Sequence, residues 1–404
     1  MRTVLVAVLA TLVTWEDIAI PLRAAFQAGG EAFNAWVRKV EADSEQRLAE
    51  GERDHLVYYV LQSASFTGKE PIEPAVSARD YVKGNAIPDA VRLRMGDFLS
   101  SKANNWRLNY FRELSAGRRQ FLEQEYKRAM RFLYEKEWAS REHQGQARRD
   151  FVASLYQKRG HSTDTSVEAS FAVDVGLEVL AGFGARASRV LVVGPGLDRS
   201  PRTRLREQSD PQSYQPYLLA DGLLRHGIAG AGKLEIVCAD LNSAVVDAIN
   251  SFLHLPRLDL FWKPQDSEHR EYYASLGHRI GEVSAGEEGV RILTIRPELA
   301  KRISAGRWNI LTRKARREQP FDLVVATNVL LYFRREELAL AMNNIHRLLA
   351  AGGYFLHNET RAEVEEFGAT LGLPMVHARM VRLSAREQME LYDGVVLQRK
   401  KPEE

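Results

Sequence analysis

The chain has 404 residues, of which 45% are hydrophobic and 27% charged, enough for two domains with cores of their own and incompatible with a disordered chain. Its 56 Lys and Arg against 53 Asp and Glu leave a net charge of +3, too slight to argue for a nucleic-acid partner. A lone cysteine, Cys238, rules out an internal disulfide and a thiolate metal cluster, and no apolar run reaches the roughly 18 residues of an ordinary helical membrane span.

At the start, Arg2 followed by the apolar stretch Val4 to Val13 reads as a secretory leader or as a buried first helix within residues 1–30. The bulky Trp15 and the charged Glu16 and Asp17 lie where a leader needs small residues, so the cleavage signal is poor. Residues 31–160 are rich in charge and helical in period, best seen from Trp106 to Arg141, and predict a mainly helical accessory domain. The loop Thr67 to Ala75, with Gly68, Pro71 and Pro74, divides it, and no ligand or catalytic spacing occurs there.

After the polar linker Arg159 to Thr165 the pattern changes, and residues 161–404 are expected to form a second domain. A helix over Ser166 to Leu180 precedes the apolar strand Val190 to Val193, and a second strand, Leu234 to Ala239, ends at Asp240 and leads into a helix from Ser243. Val290 to Ile295 reads as a third strand, and Phe321 to Ala326 as a fourth. The helix Arg335 to Ala350 follows, with Gly352 and Gly353 read as its cap before a strand at Tyr354 to His357. Alternation of this kind predicts an α/β fold with a doubly wound, mostly parallel sheet. Met375 to Leu383 and Glu390 to Gln398 are strand-like with little between them, and fit an antiparallel pair at one edge.

The turn after the first strand, Gly194-Pro195-Gly196, lets the backbone bend tightly and approach a ligand at the carboxyl end of a buried strand. A dinucleotide fingerprint would place a third glycine where Arg199 stands and an acid about 20 residues on, whereas the next strand-ending acid is Asp240. By itself the turn suits either a nucleotide-type cofactor or an ordinary strand-to-helix connection. Asp240, Asn309 and Asn328 likewise read, each alone, as a ligand contact or as a helix cap, a turn residue and a strand terminator respectively.

Taken in order, these segments resemble a known family. The stretch FDLVVATNVLLYF, Phe321 to Phe333, followed by LLAAGGYFLHNE, Leu348 to Glu359, is similar to the CheR-type glutamate methyltransferases of chemotaxis receptors, a branch of the class I S-adenosylmethionine (SAM) methyltransferases. Asp322, Asn328, Tyr332 and Phe333 match the family's fourth-strand signature, and Asn309-Ile310 corresponds to its Asn-Leu pair. The resemblance covers roughly residues 187–359 and implies a Rossmann-like, seven-stranded sheet with SAM as cofactor. It implies that Gly194 and Gly196 pass the methionine portion, that Asp198 lies near its ammonium group, and that Asp240 accepts hydrogen bonds from the ribose hydroxyls. Asn309 and the backbone at Ile310 would read the adenine edge, and Thr327 and Asn328 would line the floor where methyl group and acceptor meet.

The chain departs from the family at Thr327, where an Arg is usual, and at Leu197 and Asp198, where acidic residues follow the second glycine directly. Two insertions stand out, Asp198 to Tyr217 and Pro256 to Ser304. Arg199, Arg202, Arg204 and Tyr214 in the first, with Tyr332 and a conceivable base in His357, are the candidate acceptor contacts, and no catalytic residue is assigned. The expected partner is a small-molecule or protein methyl acceptor, with a carboxylate oxygen favoured. The strand-ending Asn328 is followed by Val329-Leu330-Leu331 and not by two prolines and an aromatic, which argues against a nucleic-acid base. A SAM requirement favours the cytoplasm, or export if residues 1–25 act as a leader. An inactive methyltransferase-like binding protein and a nicotinamide-dependent oxidoreductase are the alternatives.

Overall fold

The computed structural model describes residues 11–200, 209–252, 256–261, 269–286, 290–314, 319–386 and 389–402. Most of the apolar segment at the amino terminus and Arg202 and Arg204 of the first insertion lie outside the described residues. The chain divides into two compact units, one of residues 46–164 with 197–212, the other of residues 1–45, 165–196 and 213–404.

The first unit is helical. It holds the later part of α1 (Gly30–Gln62), then α2 (Pro74–Gly84), α3 (Asp89–Ser100), α4 (Trp106–Ser115), α5 (Arg119–Glu137) and α6 (Gly145–Gln157). The periodic stretch read from Trp106 to Arg141 is two helices, because Ala116 and Gly117 take the left-handed conformation, at φ 48° and 61°, and end α4. Its core is aromatic: Tyr59 stacks on Phe111 at 4.7 Å, and Phe66 and Phe98 meet edge to face at 5.6 Å.

The buried Arg94 of α3 donates to the carbonyl oxygens of Val60 and Lys69 at 2.8 Å and Glu70 at 3.0 Å, and to that of Ser63, so it ties down carbonyls at the end of α1 and in the following loop. Replacing it by Met strands these carbonyls, and denaturant unfolding is expected to show a loss of about 2–4 kcal/mol. Near the middle of α1 the returning chain runs against its backbone: His161 N–H donates to the Arg47 carbonyl at 2.8 Å, and Arg47 Nε donates to that of Arg159 at 3.0 Å. Gly51 and Gly160 face each other across this contact.

The second unit carries the sheet. Its strands are β1 (Thr11–Leu12), β2 (Arg189–Val193), β3 (Glu235–Asp240), β4 (Arg257–Phe261), β5 (Gly281–Ala285), β6 (Val290–Ile295), β7 (Ile303–Arg307), β8 (Arg313–Lys314), β9 (Phe321–Ala326), β10 (Leu349–His357), β11 (Met375–Arg386) and β12 (Met389–Arg399). Its helices are α7 (Ala169–Gly182), α8 (Gln215–Arg225), α9 (Ser243–Ser251), α10 (Arg270–Ser275), α11 (Pro297–Ala300), α12 (Arg335–Leu348) and α13 (Ala362–Thr370).

Seven strands lie in the order β11-β12-β10-β9-β2-β3-β7. Pairing is parallel from β7 through β3, β2 and β9 to β10, and β12 runs antiparallel to both β10 and β11. The expected edge hairpin is therefore present. The chain fills the sheet from β2 outward through β3 to β7, then returns past β2 to β9 and β10, so the direction of winding reverses between β2 and β9. In open α/β sheets the ligand crevice opens at the carboxyl ends of the strands at this point. Val190 to Val193 of β2 and Leu323 to Ala326 of β9 are buried, as unbroken apolar runs covered on both faces require.

Two expectations are corrected. Val290 to Ile295 is β6, the middle of a separate three-stranded antiparallel sheet with β4 and β5, built from the second insertion; the third strand of the main sheet is β7. With sequence Ile-Ser-Ala-Gly-Arg, β7 sits at the sheet edge, where a long apolar run is not required. Gly352 and Gly353 do not cap α12, because the chain is already extended at Leu349, φ −76° and ψ 137°. They occupy an irregularity of β10, whose register against β9 shifts between Leu349 and Tyr354, and Gly352 takes φ 77° there.

Candidate active site

Short contacts gather the ends of β2, β3, β7 and β9. Gly194, with φ 64°, donates its N–H to the Ala239 carbonyl at 2.8 Å, which fixes the glycine turn beside the end of β3. A Cβ at position 194 would lie 2.7 Å from Cγ2 of Val329, so the same turn packs against the residues that follow β9. Gly196 has φ 74°, also a conformation that favours glycine. Trp308 N–H donates to the Asp240 carbonyl at 3.0 Å and brings the 308–310 segment to the end of β3, while Gln215 Nε2, in the first turn of α8, donates to Thr327 Oγ1 at 2.7 Å. Gly194, Gly196, Asp240, Asn309, Ile310, Thr327 and Asn328 thus all belong to the carboxyl end of the parallel strands.

Asp240 is only 6% exposed, and one carboxylate oxygen accepts the Asn242 N–H at 2.8 Å. Capping of α9 falls to Asn242, whose Oδ1 accepts the Ala244 N–H at 3.0 Å. The helix-cap reading of Asp240 is therefore set aside in favour of its neighbour. Asn309 has a different setting from the expected one: its amide nitrogen donates to Glu41 Oε2 at 2.8 Å and Ser44 Oγ at 3.3 Å in α1, and its Oδ1 accepts the Leu311 N–H at 3.0 Å. Its side chain secures this loop. The carbonyl of Ile310 accepts Asn344 Nδ2 of α12 at 2.8 Å.

Asn328 sits just past β9 with φ 59°, exposed, in a turn that only a few residue types tolerate. Its N–H donates to Asn358 Oδ1 at 2.9 Å, and its own Oδ1 accepts from Asn358 Nδ2 at 2.8 Å. The next turn, Leu330 to Phe333, is held from below by the buried Arg361, which donates to the carbonyls of Leu330 at 2.7 Å and Phe333 at 2.9 Å. Gln215, Asn358 and Arg361 gave no signal in the sequence because their partners are 112, 30 and 28 to 31 residues away.

Of the acceptor candidates, Tyr214 and Tyr332 are both buried, at 3% and 7% exposure. Arg199 is also corrected: it lies buried in the helical unit, ion-paired with Glu52, hydrogen-bonded to the Tyr110 hydroxyl and stacked over that ring at 4.7 Å. Asp198 belongs to the same unit, where its Oδ1 accepts the Gln212 N–H at 2.5 Å and faces Arg107 Nη2 at 3.5 Å.

His357 is corrected as a base. It has no exposed surface, its Nδ1 accepts the Glu359 N–H at 3.2 Å, and Nε2 lies 3.2 Å from Gln398 Oε1, so the ring is a neutral Nε2–H tautomer with both nitrogens used. Burial pushes its pKa down to about 3, and does the same for His346, to about 4. The folded values lie below the ordinary 6.5, so the stability these neutral rings contribute is full above pH 6.5 and is lost as pH falls toward the folded values. Unfolding free energy measured between pH 6 and 4 is expected to fall by about 1.4 kcal/mol per pH unit on account of the sealed His357, and His357→Gln to reduce that slope.

Residues 282–367 match the sequence profile of the CheR methyltransferase SAM-binding domain, a segment that runs from β5 to α13 and includes Asn309, Thr327 and Asn328. Over this segment the chain resembles the SAM-binding domain of the CheR methyltransferases. No curated protein sequence matches the chain.

Among solved structures, the chain is similar to the N-methyltransferase NodS from Bradyrhizobium japonicum WM9 in complex with S-adenosylhomocysteine. That alignment has 14% identity over 62% of this chain and 97% of that one, with a TM-score of 0.33. It is similar also to magnesium protoporphyrin IX methyltransferase from Synechocystis PCC 6803 with bound SAM, at 9% identity over 62% and 97% of the two chains and a TM-score of 0.31. The glycopeptide N-methyltransferase MtfA with S-adenosylhomocysteine aligns at 11% identity over 61% and 91%, with a TM-score of 0.33.

The CheR-like domain has SAM as its cofactor. Its residues fit that molecule: the turn at Gly194 leaves no room for a side chain, and a buried carboxylate stands at the end of the next strand. No third glycine is needed, because SAM has no pyrophosphate for a helix amino terminus to hold. Among the described residues no helix is long and apolar enough to cross a membrane, and no group of His, Cys, Asp and Glu could hold a metal ion.

Proposed function

We propose that the domain methylates an oxygen atom of its acceptor, a carboxylate, at the carboxyl end of β9. The convergence of the Gly194 turn, Asp240 and the 327–329 segment supports this reading most strongly. In it, Gly194 and Gly196 pass the methionine chain, Asp240 accepts from the ribose hydroxyls, and the Ile310 backbone meets the adenine edge. Thr327, its hydroxyl held by Gln215, and Asn328 form the floor on which the acceptor rests.

Bound SAM would supply a methyl group on a positively charged sulfonium, a good leaving group. The protein's task is then alignment of the acceptor oxygen, for which effective molarities can be large. A carboxylate is ionised at neutral pH and requires no general base, consistent with a His357 sealed in the core. The requirement for SAM favours the cytoplasm for this activity.

Incubation of the full chain and a substrate extract with SAM carrying a labelled methyl group tests the proposal. Label that dilute base releases as methanol marks a carboxyl ester and is the expected result. Label that survives base would place the methyl group on nitrogen, carbon or an ether oxygen and overturn the carboxylate assignment.

A further inference from the structure

The polar side chains around Asn328 form a directed network. Asn358, directly after β10, uses Oδ1 to accept the Asn328 backbone N–H at 2.9 Å, an interaction that only an oxygen can make. Its Nδ2 must therefore be the donor toward both Asn328 Oδ1 at 2.8 Å and Asp393 Oδ1 at 2.9 Å. Asp393 fixes this sense, since an ionised carboxylate only accepts. The same oxygen accepts the Gly394 N–H at 2.8 Å, and a Cβ on Gly394 would lie 2.8 Å from the Asn358 carbonyl, so β12 can come this close only at a glycine. Burial raises the Asp393 pKa, and its two donors work against that rise.

With the Asn328 oxygen engaged by Asn358, its Nδ2 has no protein partner among the described residues and is the group left for a ligand. We infer that Asn358, backed by Asp393, is a positioning residue that turns the exposed Asn328 amide into a hydrogen-bond donor and so selects a methyl acceptor bearing oxygen lone pairs over a cationic amine. The inference rests on the proposed placement of the acceptor at Asn328. It explains how a site without the family's usual Arg at position 327 could still favour an anionic acceptor: two N–H groups, held in one orientation, face it.

Asn358→Asp reverses the polarity. A carboxylate at 358 still accepts the Asn328 N–H, but it has no donor for Asn328 Oδ1, so the Asn328 amide must turn its nitrogen inward and its oxygen out. The test uses the full chain saturated with S-adenosylhomocysteine, with acetate and methylammonium as small anionic and cationic probes titrated in turn. Wild type is expected to bind acetate about tenfold or more tightly than methylammonium, Asn358→Asp to invert that preference, and Asn358→Ala to bring it near unity. Equal or absent binding of the two probes by the loaded wild type, or an unchanged preference in Asn358→Asp, overturns the inference. Failure of S-adenosylhomocysteine itself to bind the wild type is a separate result and sinks the cofactor-site reading instead. A simple loss of packing at 358 would weaken both probes together and would not invert them.

Discussion

Asp240→Ala is expected to raise the dissociation constant for SAM by about 10²-fold or more, read by calorimetric titration, with the fold intact. Two hydrogen bonds from ribose hydroxyls to one carboxylate are charge-assisted, and each contributes about 1.5–3 kcal/mol, which together spans that range. The carboxylate is nearly sealed from water at the end of β3, where a competing solvent molecule reaches it poorly. Stability should fall by only about 1–3 kcal/mol, because the buried Asn242 N–H loses its acceptor while α9 keeps its cap at Asn242. Asp240→Asn is the sharper control: one accepting oxygen becomes an amide nitrogen that can only donate, so affinity should fall by an intermediate amount. An Asp240→Ala protein that binds SAM as wild type does would remove Asp240 from the site.

The second large effect is on folding. Gly51→Ala places a Cβ 1.8 Å from the His161 carbonyl oxygen and 2.4 Å from its carbon, both backbone atoms that cannot rotate away. On the opposite side, a Cβ on Gly160 would meet Gly51 N at 2.3 Å. Relief requires moving the 159–163 segment off α1, which breaks the His161 N–H bond to Arg47 and disturbs the Thr163 hydroxyl bond to Glu52. Overpacking with lost hydrogen bonds is expected to cost the helical unit about 3 kcal/mol or more in chemical denaturation followed by circular dichroism. A change smaller than about 0.5 kcal/mol, the range of ordinary surface substitutions, would contradict this packing.

Where the sequence carried local signals, the fold could be read from it. The runs at Val190 to Val193 and Leu323 to Ala326 are apolar without interruption, and both lie in central strands. The two C-terminal strands, strand-like segments with little between them, pair as expected. Ile303 to Arg307 could not be read, since an edge strand of Ser, Ala and Gly has neither period nor hydrophobicity; the more apolar Val290 to Ile295 took its place in the reading. The glycine pair 352–353 resembles a helix stop because a strand irregularity and a cap ask the same φ of the backbone.

For the site, residue types were legible and partners were not. Asn309 looked like a ligand reader, yet its amide is used by Glu41, 268 residues away in sequence. His357 looked like a base until its burial and two partners were known. Asn358 and Asp393 are unremarkable in the chain and become informative only through their bonds to each other and to Asn328. Side-chain polarity at the floor is a tertiary property, set by which neighbour accepts and which donates.

In the proposed site, the crevice between the ends of β2 and β9 binds SAM and not a dinucleotide. Calorimetric titration of the full chain with SAM, and in parallel with NADH, tests it most directly. Saturable binding of SAM at one site per chain, with no heat from NADH, is the predicted result; well-folded protein that binds NADH, or that does not bind SAM, would contradict it.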